Sequence, residues 1–341
     1  MKTKNKKQKK QNQKKWRSTL LLVLILAVVS AVGITSVVLI RHSKEKDLSL
    51  AFNVSDKMYG NHCMEGERAP SFSHGLCISE NNMQLEDVIL PERVHAGLFN
   101  LDQEKTMYAQ GVHEKIFPAS ITKIMTAIVA LKHGNLEDVL TVPAEALNLE
   151  EGSTELGFQA GDQVTLDELL HGLLISSGND AAMTIAAHIG GSVEHFVAMM
   201  NEEAARLGAT NTHFMNPTGL HNEEHYTTVY DIYLMLNEAL NYPKFVSIMQ
   251  IPLYTLKYTR NDKTISQRLD ATDQYLTKQV TPPKHVTVLG GKTGTTNEAG
   301  ACLALVSQNA YGEPFISIVV HSSTKAMLYE NMNQLLSKIN L

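Results

Sequence analysis

The sequence has little cysteine, glycine or proline, and these shortages exclude several classes of protein. Three cysteines in 341 residues are too few for a disulfide framework. The 21 glycines and 10 prolines are too few for a collagen, and a hydrophobic content of 43% is too high for a disordered chain. An ordinary globular protein remains, and we find neither an internal repeat nor a second domain.

Basic residues are scarce over most of the chain. Twelve of the 30 Lys and Arg residues lie in residues 1–46, where there is a single Glu. Residues 47–341 hold 18 Lys and Arg against 34 Asp and Glu. A body with this excess of negative charge repels a phosphate backbone, so we expect no nucleic-acid partner.

One long hydrophobic run is present, and it lies near the N-terminus. Residues 1–17 carry nine Lys or Arg and no acid, and residues 18–40 are uncharged and mostly apolar. About 20 apolar residues cross a bilayer, and the hydrophobic core of a cleaved signal peptide is shorter, roughly 7–15 residues. The positive charge before the run places the N-terminus inside the cell. We predict a cytoplasmic basic tail (1–17), a transmembrane anchor (18–40) and an extracytoplasmic stalk (41–85) in a single-pass cell-membrane protein, with a cleaved signal as the alternative.

The cysteines fall into two groups. Cys63 and Cys77 lie in a polar, turn-rich segment that is predicted to be outside the cell. A single disulfide between them is favoured over a metal site with the neighbouring His62 and His74, because the spacing matches no common zinc pattern. Cys302 lies in an apolar run and is predicted to be a buried small residue.

Residues 86–341 show the periodicity of an α+β domain. Strands are expected near both ends and helices between them, which predicts one α+β domain rather than repeated βαβ units. The predicted strands are 95–101, 106–109, 286–289, 301–306 and 315–320, and the predicted helices are 121–131, 166–175, 179–188, 193–207 and 330–339.

The first candidate catalytic pair is Ser120 and Lys123. Pro118 suits the first turn of a helix, so Ser120 lies at or near a helix N-terminus, and Lys123 shares its face three residues later. A serine hydroxyl needs a base to become a nucleophile, and a lysine whose pKa is lowered can supply one. Ser-x-x-Lys alone is weak, because a surface helix produces this spacing by chance.

Two further motifs make that pair significant. Ser177-Gly-Asn179 lies on a tight loop between two predicted helices, and Lys292-Thr-Gly-Thr295 follows a predicted strand with Gly290 and Gly291. Each has an ordinary structural explanation by itself, a helix cap for the first and an edge-strand turn for the second. In this order with Ser120 and Lys123, they are the three motifs of the penicillin-recognising serine enzymes.

The sequence resembles the D-alanyl-D-alanine carboxypeptidases, the low-molecular-mass penicillin-binding proteins. The resemblance extends from about residue 90 to residue 341. It implies a β-lactamase/transpeptidase-like fold, an antiparallel sheet with flanking helices and a helical subdomain. Besides the three motifs, it is carried by four stretches: 173–182 (LLISSGNDAA), 212–220 (THFMNPTGL), 225–228 (HYTT) and 292–300 (KTGTTNEAG).

The resemblance implies the roles of the catalytic residues. Ser120 would be the acylated nucleophile, and Lys123 would take its proton and help to return it. Ser177 and Asn179 would relay protons and hold the peptide amide of the substrate. The reaction would release the terminal D-alanine from a peptidoglycan stem peptide through an acyl-enzyme, with β-lactams as covalent inhibitors and with no metal or organic cofactor.

The third motif would bind the substrate. Lys292 would supply positive potential, and Thr293 and Thr295, on either side of Gly294, would bind the terminal carboxylate. The resemblance also implies an oxyanion hole formed by the backbone N–H groups of Ser120 and Thr295.

Two other functions remain as alternatives. A β-lactamase of the same fold is disfavoured because no Glu-x-x-Leu-Asn segment follows Asn179. A non-catalytic penicillin sensor or scaffold is disfavoured because all three motifs are intact. The pair His221 and His225 has the spacing of zinc-peptidase ligands, but Asn222 replaces the required Glu, and Pro217 and Gly219 favour a loop.

The sequence departs from the family in three places. Larger members carry a β-rich domain and an amphipathic anchor after the catalytic domain, whereas only residues 296–341 follow Thr295 here, so the anchor is expected at the N-terminus. An Asn-rich segment is replaced by residues 266–274. The arginine that commonly precedes the closing helix is replaced by Met327 and Leu328, which leaves Lys325 as the nearby cation.

Overall fold

The structure is a computed structural model that describes residues 75–150 and 153–340. The predicted basic tail, the transmembrane anchor and most of the stalk lie outside these residues. Within the part of the chain that the structure describes, no helix has both the length and the apolar character needed to cross a membrane.

A five-stranded antiparallel sheet forms the centre of the domain. Its strand order is β2-β1-β9-β8-β7, so β7 lies at one edge and the early strand β1 pairs with the late strand β9. The strands are β1 (His95–Asn100), β2 (Lys105–Gln110), β7 (Thr287–Thr296), β8 (Gly300–Gln308) and β9 (Pro314–Ser322).

Seven helices pack on and beside this sheet in the described part of the chain. Their N-termini follow from the sequence at several points, for example at Thr165 and Ser192, whose hydroxyls cap the helices that follow. The helices are α1 (Lys123–His133), α2 (Leu166–Ile175), α3 (Asn179–Gly190), α4 (Val193–Arg206), α5 (Val229–Ala239), α6 (Pro243–Met249) and α7 (Lys325–Leu336).

A second sheet was not expected from the sequence. It is antiparallel, with the order β3-β4-β5-β6. Two of its strands have only three residues, and the other two form a largely exposed hairpin. In the first strand of that hairpin Tyr254, Leu256 and Tyr258 alternate with polar residues, so the sequence does carry a period-2 signal for it. The strands are β3 (Val139–Thr141), β4 (Gln163–Thr165), β5 (Leu253–Arg260) and β6 (Lys263–Asp270).

The five-stranded sheet is covered on both faces. Along β1, Ala96 and Leu98 belong to the core beneath α7, whereas Phe99 belongs to the larger core formed with the central helices. Helix α1 lies within that larger core, and its residues Lys123 to Ala130 are all buried. This central position makes Lys123 a lysine without access to solvent.

The segment before the predicted start of the domain also packs on it. Cys77 is 1% exposed, its backbone N–H donates to Tyr233 Oη, and its carbonyl accepts from Tyr230 Oη. Packing of the domain therefore begins before residue 86, where the sequence interpretation placed the end of the stalk. Cys302 is buried, as predicted. Cys63 lies outside the described residues, so its disulfide with Cys77 stays a prediction.

The α+β architecture with an antiparallel sheet and flanking helices is confirmed, and two boundaries differ in ways that affect the site. Strand β7 does not end at Leu289 but continues through Thr296, which places the whole Lys292–Thr295 motif inside the strand. The last helix begins at Lys325 rather than Glu330, because the Thr324 hydroxyl accepts from Met327 N–H. Met327 and Leu328 therefore lie in the first turn of α7 and not before it.

Candidate active site

Ser120 lies in a tight turn immediately before the buried helix α1. The turn is a short 3₁₀ helix, Ala119–Thr122, and it follows Pro118. Ala119 has a φ of +48°, a conformation that costs a residue with a side chain of the order of 1 kcal/mol or more. The strained turn and the start of α1 fix the position of the Ser120 hydroxyl.

The Lys123 amine contacts three oxygen atoms. Its Nζ lies 3.0 Å from Ser120 Oγ, 2.7 Å from Asn179 Oδ1 and 2.6 Å from the Thr218 carbonyl oxygen. The last two oxygens can only accept hydrogen bonds, so they take the two N–H groups of a neutral amine. The nitrogen lone pair is then directed at the Ser120 hydroxyl, which is the arrangement a general base requires.

The surroundings of Lys123 favour this neutral form. Burial lowers the pKa of its amine well below the usual value, and the nearby charge of Lys292 lowers it further. The carboxylate of Asp180 acts in the opposite direction. That carboxylate accepts hydrogen bonds from the backbone N–H groups of Leu156, Gly157 and Ala181.

The loop between α2 and α3 forms the second wall of the site. Ser177 has a φ of +64° and is buried, and among the described residues its Oγ has no hydrogen-bond partner. Asn179 is the first residue of α3, and its Oδ1 contacts Lys123, which leaves its NH₂ group for a substrate. A buried hydroxyl without a partner and a free amide donor suit a proton relay and the binding of a peptide carbonyl.

Strand β7 forms the third wall. We call the Ala119–Thr122 turn the nucleophile turn, because it carries the candidate nucleophile Ser120. A Cβ atom on Gly294 would lie 2.9 Å from the Ser120 nitrogen, so only glycine lets the strand approach this turn so closely. This approach brings the backbone of β7 at Gly294 next to the backbone of Ser120. Thr293 Oγ1 donates to Thr272 Oγ1 at 2.6 Å.

Lys292 is the second buried lysine of the site. It is 1% exposed, and its Nζ donates to the Thr293 carbonyl at 3.0 Å. Burial lowers the pKa of its amine to about 7. Near neutral pH it therefore changes between a charged and a neutral group, and its charge acts directly on Lys123.

The three motifs line one cleft, together with Lys325, the cation that the sequence indicated near the closing helix, and with residues to which the sequence gave no role. Ser120, Ser177 and the Thr293–Thr295 stretch share this cleft with Thr272, Lys325 and Tyr329. Thr272 belongs to segment 266–274, which departs from the family pattern. Thr218, whose carbonyl binds Lys123, lies in the stretch 212–220 that carried the resemblance.

The two histidines with zinc-peptidase spacing do not lie on a helix. The segment between Gly219 and Tyr226 is a loop, as predicted. His221 lines the cleft beside Ser120, whereas His225 is buried behind the nucleophile turn. Among the described residues, no group of three or more His, Cys, Asp or Glu side chains could hold a metal ion.

Comparison with protein families gives one match over most of the domain. The family model described as D-alanyl-D-alanine carboxypeptidase matches residues 92–324. The chain belongs to the D-alanyl-D-alanine carboxypeptidase family. The match includes all three motifs and ends one residue before helix α7.

Curated relatives carry the same family name. The chain is 35% identical over 215 residues to D-alanyl-D-alanine carboxypeptidase DacF of Bacillus subtilis, covering 62% of this chain and 53% of that protein. It is 32% identical over 245 residues to DacC of Escherichia coli, covering 68% and 57%. The chain thus spans little more than half the length of these carboxypeptidases.

Solved structures of the family superpose on the domain. The DD-transpeptidase of Streptomyces K15 gives a TM-score of 0.68 at 26% identity, covering 73% of this chain and 97% of that one. The D-alanyl-D-alanine carboxypeptidase of Mycobacterium tuberculosis gives 0.65 at 27% identity, covering 76% and 93%. The fold expected for the carboxypeptidase family is therefore confirmed.

Proposed function

We propose that this chain is a serine-type D-alanyl-D-alanine carboxypeptidase that removes the terminal D-Ala from peptidoglycan stem peptides. The proposal rests above all on Lys123, whose buried amine has two oxygens that can only accept and one serine hydroxyl within 3.0 Å. Family membership supports the same activity.

The geometry supports an acyl transfer in two steps. Lys123 takes the proton of Ser120 as its Oγ attacks the carbonyl between the two D-alanines, and the N–H groups of Ser120 and Thr295 stabilise the oxyanion. The proton passes to the leaving amine through the Lys123–Ser177 side of the site, and D-Ala departs. Water then attacks the ester carbonyl and Lys123 accepts the water proton. Lys123 returns this proton to Ser120 Oγ as the bond between the acyl carbon and Oγ breaks, which releases the shortened peptide and regenerates Ser120. Penicillin would be attacked in the same way.

Lys325 and Thr293 are suited to bind the free carboxylate of the terminal D-Ala. Lys325 is exposed, begins helix α7 and lines the cleft that contains Ser120. A substrate carboxylate beside Thr293 and Thr295 would lie between this flexible cation and the buried Lys292.

Turnover of a diacetyl-Lys-D-Ala-D-Ala peptide tests the function. The wild-type protein should release D-Ala and show an acyl-enzyme at Ser120 by mass spectrometry, and Ser120→Ala should do neither while remaining folded. Hydrolysis of nitrocefin without D-Ala release would instead indicate a β-lactamase. Stable penicillin labelling without peptide turnover would indicate a sensor.

We also propose that residues 18–40 anchor the protein in the cell membrane with the catalytic domain outside. The support is the uncharged run itself and the nine Lys or Arg residues before it. The full-length protein should fractionate with membranes, and protease added outside wall-stripped cells should reach residues 47–341. Recovery of only a shortened soluble form would contradict the anchor.

A further inference from the structure

His225 is a buried histidine next to the nucleophile turn but outside the cleft. It is 2% exposed and lies in the loop that leads into helix α5. Its spacing from His221 is that of zinc-peptidase ligands, but the two rings face different surroundings: His221 lines the cleft, and His225 contacts Thr122. A polar ring this deeply buried calls for a role in the packing around it.

The hydrogen bonds of His225 determine its tautomer. Its Nδ1 accepts from the backbone N–H of Met215 at 3.2 Å, so the neutral ring carries its proton on Nε2. Nε2 lies 2.8 Å from Thr122 Oγ1 and therefore donates to it. Thr122 is itself 1% exposed and lies between Ser120 and Lys123 in the nucleophile turn. His225 thus joins the backbone at Met215 to the turn that carries the nucleophile.

The segment joined in this way orients the general base. We name residues 215–219 the carbonyl loop, because two of its carbonyl oxygens bind side chains of α1. The Thr218 oxygen accepts from Lys123 Nζ at 2.6 Å, and the Pro217 oxygen accepts from Thr126 Oγ1 at 2.7 Å. The loop also fits tightly, because a Cβ atom on Gly219 would collide with the Ala119 carbonyl oxygen.

The charge state of His225 is compatible with this role. Burial lowers the pKa of its imidazole to about 4, and the nearby His213, His221 and Lys123 lower it as well. At neutral pH the ring is uncharged, so it adds no positive charge behind Lys123. Protonation on Nδ1 would break the bond from Met215 and place a like charge near the general base.

We propose that His225 is a positioning residue for acyl transfer, which fixes the carbonyl loop to the nucleophile turn so that Thr218 takes one N–H of Lys123 and the amine lone pair faces Ser120. The proposal rests on the proposed function of Ser120 and Lys123. Without the Nε2–H donor, the carbonyl loop is free to move away from α1, and water gains access to the amine.

The test compares His225→Leu, which cannot form either bond, with His225→Gln, whose amide can donate to Thr122. Acylation by a fluorescent penicillin is resolved into the dissociation constant of the first complex and the acylation rate constant. We expect His225→Leu to lower the rate constant about tenfold and to leave the dissociation constant within about twofold. The acid limb of its pH profile should move to higher pH, because a more hydrated Lys123 regains protons. His225→Gln should recover most of the rate.

Two further variants separate positioning from general destabilisation. His213→Gln is the matched control, because His213 bonds the Glu224 carbonyl in the same loop and not the nucleophile turn, and it should acylate at the wild-type rate. Thr122→Val removes the acceptor and should reproduce the loss, with no further loss in the double variant with His225→Leu. If His225→Leu does not fold, Thr122→Val alone tests whether the bond between these two side chains is needed for acylation.

Two results would overturn the proposal. One is a wild-type rate and pH profile in folded His225→Leu or, should that variant not fold, in Thr122→Val. The other is an acylation rate constant in the double variant that is lowered by the product of the two single fold-losses, which would show that the two residues act independently. Failure of the proposed function is read separately: wild-type protein that is acylated in a His225-dependent way but releases no D-Ala refutes the carboxypeptidase activity and leaves the positioning role standing.

Discussion

Lys123 and Lys292 are two buried lysines whose tasks require opposite charge states. In the proposed mechanism Lys123 must be neutral to accept the serine proton, and Lys292 must be positive to attract a carboxylate. Burial lowers the pKa of both amines, and the charge on Lys292 lowers that of Lys123 further. The positive charge at Lys292 thus helps to keep the neighbouring base neutral.

The pH dependence of acylation should report this coupling. The rate rises with pH as Lys123 loses its proton, so the acid limb follows the pKa of Lys123. In Lys292→Met the like charge is absent, the pKa of Lys123 rises, and the acid limb should move to higher pH while the maximal rate falls. The measurement is the second-order rate of penicillin acylation between pH 5 and 10.

Lys263→Met provides the control for that experiment. Lys263 is an exposed lysine in the β5–β6 hairpin, so its loss changes the net charge equally without altering the site. An acid limb at the same pH in the wild type and in Lys292→Met would show that Lys292 does not influence the base.

Lys325→Ala should impair only substrates with a free terminal carboxylate. We expect kcat/KM for a D-Ala-D-Ala peptide to fall about tenfold, equivalent to about 1.4 kcal/mol. For the same peptide with an amidated C-terminus it should change less than twofold. Lys325→Arg keeps the positive charge, so it should still prefer the peptide with a free carboxylate over the amidated peptide. Equal losses for acid and amide would show that Lys325 acts on the structure and not on the carboxylate.

The sequence indicated the motif residues of the candidate site, but not the residues that surround and position them. Ser120, Lys123 and the other motif positions could be named because the three motifs occur together and in a fixed order, although each is weak alone. Thr218 could not, because its contribution is a carbonyl group that every residue possesses. Thr272 lies in a segment that departs from the family pattern, and only the pairing of its hydroxyl with Thr293 shows that it reaches the cleft.

At the level of elements, β7 is the edge strand that carries the proposed substrate-binding groups. Gly294 lets it lie against the nucleophile turn, and the left-handed Gly290 lets it pass the Met249 carbonyl. The sequence predicted only the first part of this strand, because alternation of apolar residues stops at Leu289 and the motif itself is polar. Residues Gly290 to Thr296 remain in the strand because they pair with the apolar strand β8, although their own side chains give no hydrophobic pattern.

Gly294→Ala tests the close approach of β7 to the nucleophile turn. The new Cβ would lie 2.9 Å from the Ser120 nitrogen and 3.0 Å from Ala119 Cβ, so the strand or the turn must move. The oxyanion donors then separate, and loss of one such donor lowers rates by about 10²–10³. We expect a fall of this size in the acylation rate constant.

The glycine at position 312 provides a matched comparison for that substitution. Unlike Gly294 it has a positive φ, and a Cβ atom there would meet nothing within 4 Å. Gly312→Ala should therefore reduce stability slightly and leave acylation unchanged. A fully active Gly294→Ala protein would mean that the oxyanion hole lies elsewhere.

For the whole molecule, His225 should contribute to the dependence of stability on pH. The pKa of its imidazole is about 4 in the folded protein and about 6.5 when exposed, so the unfolded chain binds more protons between these values. The free energy of unfolding therefore falls as the pH is lowered from about 6.5 to about 4, by up to roughly 3 kcal/mol from this group.

Denaturant unfolding of the wild type and of His225→Gln at pH 7 and pH 4.5 measures this contribution. The variant lacks the titrating ring and should lose less stability on acidification. The wild type and the variant must be compared with each other, because buried Asp273 also titrates in this range. Its pKa is raised to about 6, so its protonation increases the free energy of unfolding as the pH falls, opposite to the effect of His225. Equal losses in both proteins would contradict a low pKa for His225.

The pairing of β1 with β9 has a consequence for the way the molecule is made. His95 lies opposite Val320, about 225 residues later in the chain, so the central sheet has a high contact order. A nascent chain that has reached β8 still exposes two open strand edges, and the slot between β1 and β8 is filled only when β9 emerges. Folding of the sheet must therefore follow synthesis rather than accompany it, and the unfinished chain needs protection from aggregation until then.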